Sequence, residues 1–590
     1  MAWNSDKKPN AGGAGRLYSA AVIPPSHPLA RLVPALCLSV AAGCASVPAR
    51  PPAAKRPADP AALTIVAEMA LQRGQCRTAA ETYARAAEIG SAAVAHRASD
   101  VGLACEDLPA AWRSVQRWYA LEPRNREAEA TYATVAVKLY RIPAAQAALK
   151  SLVRSWGPRS ARTTPSHSPQ SRLAALTGVL LGEADAPAVM AALEGAVDRS
   201  QASAGTLVLL GEVSLEAWNA RRAAHDARLA LARAPRDFQA ESLLARADVV
   251  LGRDRHALAL AERIAREHPR TGRFEPALIE AALGRTEAAH RSLERLREQA
   301  DARAEADRRL AVLAYDSGDL MEAQQRFVAL VEDGEANAAT LLSLSDIAAR
   351  RGDAAAALAG YSKLEDSALG FEASSRAAAL LLAAHRPAAA MKVLERYAAA
   401  HPGHEVEVAV TEAQLLGDRN EAPLAAKRLA RALRAHPGQP ELEYQLAVSL
   451  EQAGHTRQSV RALERLLRER PGDPTLMNAL GYTLADHHLQ LARAHALILG
   501  ALAAVPDNPA VLDSLGWVRL RAGHAAAAVP AFARAYSLSE DAQIAAHWGQ
   551  ALWSAGHHEA ARRVWAQALA RHPDSRSLAA VVRRYLPDAT

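Results

Sequence analysis

The sequence predicts an all-α fold, a superhelical solenoid built from helix–turn–helix repeats, and two observations lead to it. Half of the 590 residues are hydrophobic but only 4% are aromatic, so Ala and Leu must build the interior. Such small side chains suit thin layers of closely packed helices, and the chain is several times longer than a single domain core. Turn residues also recur at a fixed interval: Pro437 and Pro471 are one period apart, as are Gly318 and Gly352.

The repeat is clearest near the C-terminus, where glycines follow large apolar residues at regular intervals. From Trp548 onward the pattern contains Gly549, Trp553, Gly556, Ala561, Trp565, Ala568 and Pro573. These residues and their spacing resemble the tetratricopeptide repeat, which implies about fourteen units from Ala61 to near the end of the chain. Small residues are needed where the two helices of a unit cross, and proline ends the second helix. One helix pair cannot bury its own apolar face, so stability must come from stacking of neighbours.

The first 43 residues are expected to be a signal peptide of the lipoprotein type. Residues 32–42 form an apolar run that is too short to span a bilayer, and it ends at Gly43-Cys44. This junction resembles the bacterial lipoprotein box. The resemblance implies that Cys44 is acylated and becomes the first mature residue, and Ala45 after it implies passage to the outer membrane. The alternative is a plain secretory signal that ends in a small residue.

Composition divides the rest of the chain into four segments. Residues 44–60 are rich in proline and lack an apolar period, so they are expected to form an extended tether. Residues 61–155 are expected to form N-terminal helical repeats. Residues 156–171, rich in Pro, Ser and Arg, should be a long loop or hinge. Residues 172–590 then form the main solenoid.

The sequence does not indicate an enzyme, a cofactor or a metal site. The HExxH, Walker and GxSxG motifs and paired metal-binding cysteines are missing from it. The two histidine pairs, His487-His488 and His557-His558, fall near turns without further ligands placed beside them. The formal charge of +7 comes from 70 basic and 63 acidic residues that are dispersed along the chain, which argues against nucleic-acid binding.

Cys76 and Cys105 are the two thiols that remain besides the signal peptide and the lipidated cysteine. Both fall near the turn inside successive units, so stacking should bring them to the same edge of the solenoid. In the oxidising envelope they can form a disulfide that locks the terminal repeats. The alternative is a pair of small buried residues that never come within bonding distance.

The inner helices are expected to line a concave groove, with residues opposite the packed Leu-Gly pairs pointing into it. In the last three units these residues are Asn478, Tyr482, Asp486, Asp513, Trp517, Arg521, Gln543, His547 and Gln550. They form a stripe of amides, charges and aromatic rings, which is suited to an extended peptide. The alternative is that several are ordinary solvated positions, and that Tyr482 and Trp517 mainly pack on the next helix.

Two consecutive segments, residues 478–486 and 512–517, together with the later Trp548-Gly549 and Val564-Trp565, are similar to one bacterial family. That family comprises outer-membrane tetratricopeptide lipoproteins and includes the adaptor of a carboxyl-terminal processing protease. The resemblance implies a non-catalytic, lipid-anchored adaptor that faces the periplasm. Its implied partners are the protease and envelope substrates such as peptidoglycan hydrolases. The alternative is an assembly lipoprotein of an exopolysaccharide-export or outer-membrane complex.

Overall fold

A computed structural model of the chain describes residues 59–156, 168–573 and 575–586. The first ten helices are α1 (Pro60–Gln72), α2 (Cys76–Ile89), α3 (Ala92–Ala104), α4 (Leu108–Leu121), α5 (Arg126–Lys138), α6 (Ile142–Ser155), α7 (Pro169–Glu183), α8 (Ala186–Glu194), α9 (Ala204–Glu216) and α10 (Ala220–Arg233). The next ten are α11 (Phe238–Val250), α12 (Asp254–Glu267), α13 (Glu275–Ala282), α14 (Thr286–Arg297), α15 (Arg303–Ser317), α16 (Leu320–Glu332), α17 (Ala338–Arg350), α18 (Ala354–Ser362), α19 (Gly370–Ala383) and α20 (Pro387–Ala400). The last eleven are α21 (Glu405–Asp418), α22 (Ala422–Ala435), α23 (Pro440–Gln452), α24 (Thr456–Glu469), α25 (Pro474–Asp486), α26 (Leu491–Ala504), α27 (Pro509–Arg521), α28 (Ala525–Leu538), α29 (Ala542–Ser554), α30 (His558–Arg571) and α31 (Arg576–Tyr585).

The helices form a solenoid of stacked pairs. Each odd-numbered helix from α1 to α29 packs against the even-numbered helix that follows it, and α31 closes the array. Within the three described ranges the chain has no β-strand, so the predicted all-α class is confirmed. From α5 to α13 and from α19 to α31, each odd-numbered helix also packs on the next odd-numbered one. In these two stretches the odd-numbered helices therefore form the inner layer, and the even-numbered helices form the outer layer.

In every unit except α7–α8, the turn between the paired helices places at least one residue in the left-handed region of backbone space. Glycine holds this position in most units, for example Gly318 at φ 87° and Gly352 at φ 85°, since it has no Cβ to clash there. In six units a larger residue holds it instead: Glu106 at φ 52°, Tyr140 at φ 55° and Trp218 at φ 57°, and later in the chain His385, Asn420 and His488. A side chain in this conformation costs roughly 1–2 kcal/mol. Contacts elsewhere must offset that cost.

The turns that contain Glu106, Tyr140 and Trp218 lie where the solenoid folds back on itself. At the first of them, the turn between α3 and α4 lies against the turn between α22 and α23. Gln439 Nε2 donates to the Glu106 carbonyl at 3.0 Å, and His436 Nδ1 lies 3.1 Å from the Glu106 carboxylate. One unit further along, the Tyr140 hydroxyl donates to the Gly472 carbonyl at 3.3 Å. We call this line of contacts the seam.

The seam continues further along both halves of the chain. The Asp507 backbone N–H donates to the Trp218 carbonyl at 3.0 Å, and its carboxylate accepts from the Ala220 N–H at 3.1 Å. Next, Arg534 donates to the Val250 carbonyl at 2.6 Å. The superhelix therefore makes more than one full turn, and its second turn rests on its first.

The N-terminal predictions fall largely outside the described residues. The predicted signal peptide at 1–43, Cys44 and nearly all of the predicted tether at 44–60 lie there. The middle of the predicted hinge at 156–171 also lies outside the described residues. On its two sides, α6 and α8 pack together, and Lys138 pairs with Glu183 at 2.8 Å. Of the helices that are described, none combines the length and apolarity needed to cross a bilayer.

A disulfide joins Cys76 to Cys105. Cys76 begins α2, directly after the turn of the first unit, and Cys105 follows α3 at the turn of the second unit. The bridge therefore links the first two units at one edge of the solenoid. That edge carries Glu106, so the disulfide lies next to the first contact of the seam.

Candidate protein-binding groove

Three inner helices, α25, α27 and α29, form the wall of the C-terminal groove. Each begins at a polar residue whose side chain accepts backbone N–H groups, namely Asp473, Asn508 and Asp541. Glycine brings inner and outer helices together: a Cβ at Gly516 would lie 2.7 Å from the Phe532 ring. This close approach fixes which side of α27 packs on α28 and which side faces the groove.

An aromatic ladder, formed by Tyr482, Trp517 and His547, runs across the groove wall. Trp517 stacks on His547 with ring centroids 4.2 Å apart, and Tyr482 lies on the other side of it at 6.4 Å. Trp517 and His547 are only 6% and 3% exposed. Stacked rings contribute about 0.5–1.5 kcal/mol beyond the area they bury. The ladder therefore ties the three inner helices to one another.

Two carboxylates hold the ladder in place. His547 Nδ1 lies 3.0 Å from both carboxylate oxygens of Asp513, and since an ionised carboxylate only accepts, Nδ1 carries the proton. Trp517 Nε1 donates to the Asp486 carboxylate at 3.2 Å. Arg521 donates to the Asp486 carbonyl, and its guanidinium carbon lies 5.1 Å from the centre of the Trp517 ring. This cation–π contact leaves part of the guanidinium facing the groove.

The nine predicted groove residues divide into two sets in the structure. Asp513, Trp517 and His547 are buried and join neighbouring inner helices, so they build the groove wall. The others remain half-buried and keep accessible surface: Asn478, Tyr482, Asp486, Arg521, Gln543 and Gln550. Contact of these six with a ligand stays a prediction.

The structure extends the groove by one unit that the repeat pattern of the sequence did not indicate. Tyr444 and Glu451, half-buried on α23, continue the line of Asn478 and Asp486 on α25. Tyr444 stands three residues before the buried Ala447, the same offset at which Asn478 precedes Gly481. Burial raises the pKa of the Tyr444 hydroxyl. Burial, followed by nearby carboxylates, raises that of Tyr482 well above its ordinary value, so both hydroxyls remain neutral donors.

One group of potential metal ligands lies at the rim of the groove. Ligand atoms of Glu451, Asp486 and His487 all lie within 4.8 Å of one another. His487 Nε2 lies 3.0 Å from Glu451. However, a guanidinium nitrogen of Arg521 lies 3.8 Å from the Asp486 carboxylate. That cation competes with a metal ion for the same oxygen.

Comparison with known proteins identifies the repeat. The family model for the tetratricopeptide repeat matches residues 308–368, 410–474, 444–509 and 547–584. These matches include α25 and most of α29 in the groove wall. The repeats in these residues are therefore of the tetratricopeptide type. Since the tetratricopeptide solenoid is a scaffold for protein interaction, a protein is the class of ligand that this groove is built to bind.

Among proteins of known sequence, the chain is similar to a TPR repeat-containing protein of Pseudomonas aeruginosa. The two are 29% identical over 208 residues, which is 35% of each chain. The chain thus matches about a third of that relative's length. Among solved structures, it is similar to yeast Tom70 at 14% identity, covering 89% of this chain and 99% of the other with a TM-score of 0.34. A tetratricopeptide protein of Thermus thermophilus is 19% identical, covers 31% and 99%, and has a TM-score of 0.29.

Proposed function

We propose that the chain is a lipid-anchored scaffold of the bacterial envelope, an adaptor that brings protein substrates to a periplasmic processing protease. The observation that carries this proposal is the preformed stripe along α25, α27 and α29. There the aromatic ladder is already locked by Asp486 and Asp513, while Tyr482 and Arg521 keep accessible surface. A groove ordered before binding loses little conformational freedom when a peptide enters.

The adaptor acts by proximity and cleaves nothing itself. A scaffold that holds protease and substrate together raises the local concentration of one near the other, which increases the rate without new chemistry. Attachment to the outer membrane confines both partners to one surface. The support for that attachment is the Gly43-Cys44 junction in the sequence.

Proteolysis with purified components tests the adaptor role. The full chain is mixed with a carboxyl-terminal processing protease and a peptidoglycan hydrolase as substrate. We expect the chain to co-purify with the protease and to accelerate cleavage. If the chain neither co-purifies with the protease nor accelerates cleavage of any envelope substrate, the adaptor role is rejected. Capture of exopolysaccharide-export proteins instead would favour an assembly role.

The lipid anchor has a separate test that does not depend on the partner. The intact mass of the protein isolated from bacterial membranes is expected to correspond to a chain that begins at Cys44 and carries acyl groups. A Cys44→Ser variant is expected to lose this mass and to leave the membrane fraction. A soluble product that begins at another residue would contradict the anchor.

A further inference from the structure

The outer surface of two neighbouring units carries an unpaired basic face. It is formed by α22 and α24, whose exposed cations are Lys427, Arg431, Arg434, Arg457, Arg461 and Arg468. Among the described residues, no carboxylate lies within ion-pair distance of these six side chains. On each helix the three residues recur at helical spacing, so they form a stripe along its outer side. The stripe on α24 is roughly 16 Å long at 1.5 Å per residue.

This basic face differs from α16, an even-numbered helix in the middle of the array. There Arg326 pairs with Glu294 of the neighbouring unit at 2.6 Å and with Glu322 of its own helix at 2.8 Å. On α24 the acidic residues are only Glu464 and Glu469, and Glu464 pairs with an arginine of the next unit. The six cations therefore have no acidic partner among the described residues and can bind an anionic partner from outside.

Next to the basic face, the outer sides of α26 and α28 are almost uncharged. The exposed residues there include Ala492, Ala496, Ala526 and Pro530. Leu499 is 42% exposed on the same side of α26. A basic stripe beside an alanine-rich, apolar stripe is the combination found in proteins that lie on a charged lipid surface.

We infer that the outer face of α22, α24, α26 and α28 docks on an anionic lipid bilayer. Five of the six cations are arginines, and the planar guanidinium binds phosphate through two parallel hydrogen bonds. The uncharged helices can then approach the headgroup layer without burying a charge. The basic face has no exposed aromatic rings, which single-stranded nucleic acid would require for base stacking. The groove faces inward, so docking leaves it open to a protein.

The path of the chain adds an argument that rests on the proposed lipid anchor. Arg77 on α2 donates to the Arg434 carbonyl at 2.9 Å, which places the first unit beside α22 across the seam. The chain enters α1 at Pro60, shortly after Cys44. An acyl anchor on Cys44 would therefore keep a bilayer close enough for the basic face to contact it.

Vesicle binding tests the inference separately from the anchor and the adaptor role. Every sample carries Cys44→Ser, so that no acyl chain can contribute. Vesicles of phosphatidylcholine mixed with phosphatidylglycerol are compared with vesicles of phosphatidylcholine alone in a sedimentation assay. We expect binding to the anionic vesicles only, and weaker binding as salt is raised. The triple variant Arg457→Gln, Arg461→Gln, Arg468→Gln should bind at least about tenfold more weakly.

A matched triple variant makes the result specific to the basic face. Arg255→Gln, Arg285→Gln and Arg303→Gln remove the same charge from exposed positions on three other units. This control should bind anionic vesicles like the parent chain. Equal binding to both kinds of vesicle, an equal loss in the control, or binding of an acidic protein in place of vesicles would each overturn the inference. If the chain binds anionic vesicles but does not bind the protease, the adaptor role fails while the inference of lipid docking stands.

Discussion

His547 Nδ1 lies 3.0 Å from both carboxylate oxygens of Asp513, although the two residues belong to successive units. Both side chains are buried, so the contact joins α27 to α29 where water cannot replace it. Neither residue is part of the tetratricopeptide pattern of small and aromatic positions. The pair therefore adds a specific polar link to an interface that otherwise depends on apolar packing.

Asp513→Ala should destabilise the last two units by about 1–3 kcal/mol, because it leaves the His547 imidazole buried without its acceptor. The loss should appear as faster hydrogen exchange in α27 and α29 and as a lower melting temperature. Asp333→Ala, at an exposed position after α16, is the control and should change stability by less than about 0.5 kcal/mol. Equal exchange rates in the two variants would show that the link contributes nothing.

Ala561→Arg should also destabilise the C-terminal units. Ala561 is fully buried where α30 packs on α29, so a larger side chain cannot fit without displacing its neighbours. Overpacking costs about 1–3 kcal/mol, and the unpaired charge adds to it. Ala570→Arg on the exposed side of the same helix should leave the melting curve unchanged. If the Ala561→Arg variant melts like the parent, Ala561 is not the position at which α30 crosses α29.

Removal of the disulfide should weaken the N-terminal units. A bridge between residues separated by 29 positions stabilises by about 3–4 kcal/mol in the chain-entropy account. Protein isolated from the periplasm should resist alkylation at Cys76 and Cys105 until it is reduced, and reduction should then lower its melting temperature. Alkylation of both thiols without reduction would contradict the bridge.

The local features of the fold were predictable from the sequence because they depend on local rules. Gly318 and Gly352 mark turns since glycine tolerates positive φ, and Ala561 marks a helix crossing since nothing larger fits. The groove stripe followed from helical spacing. Helical spacing could not show which residues of the stripe face the solvent in the groove. It also could not show that others, such as Trp517 and His547, are covered by the next helix.

The seam was not predictable because it depends on the superhelical pitch, which no single repeat specifies. Its one signal in the sequence is the residue at the turn position. Glu106 and Tyr140 stand where most units have glycine, and both make seam contacts. The signal is not specific to the seam, since His385, Asn420 and His488 hold the same position at turns that are exposed to solvent.

The seam should become less stable as pH rises towards neutrality. Burial, together with the Asp185 carboxylate across the seam, raises the pKa of Asp473 to about 6 against the opposing effect of Arg470. In the unfolded chain an aspartate titrates near about 3.9. Because the folded pKa is the higher one, the folded state is favoured below about pH 4, and this advantage of about 2–3 kcal/mol is lost between about pH 4 and pH 6.

Asp473→Asn should remove this pH dependence. Asparagine caps a helix as well as aspartate does, so α25 keeps its N-cap while the buried charge disappears. The variant should be more stable than the parent at pH 7 and equally stable near pH 4 in urea unfolding. The His436–Glu106 pair is common to both proteins, so the comparison isolates Asp473. Asp541→Asn, at the N-cap of α29, is the control; a gain at pH 7 in that variant too would reject the assignment.

Arg521→Ala should weaken binding of the processing protease at least about thirtyfold, which corresponds to about 2 kcal/mol. The half-buried guanidinium lies over the Trp517 ring and faces the groove, so its removal takes away a rigid anchor while the helix packing remains. Trp517→Ala should instead lower both affinity and stability, because the removal of a buried tryptophan side chain costs about 3–5 kcal/mol of folding stability. Titration calorimetry and a melting curve on each variant separate the two effects. Arg519→Ala is the control on the same helix, since Arg519 bonds to the Ala527 carbonyl on the outer helix. If Arg521→Ala and Arg519→Ala bind the protease equally, the C-terminal groove is not the binding site.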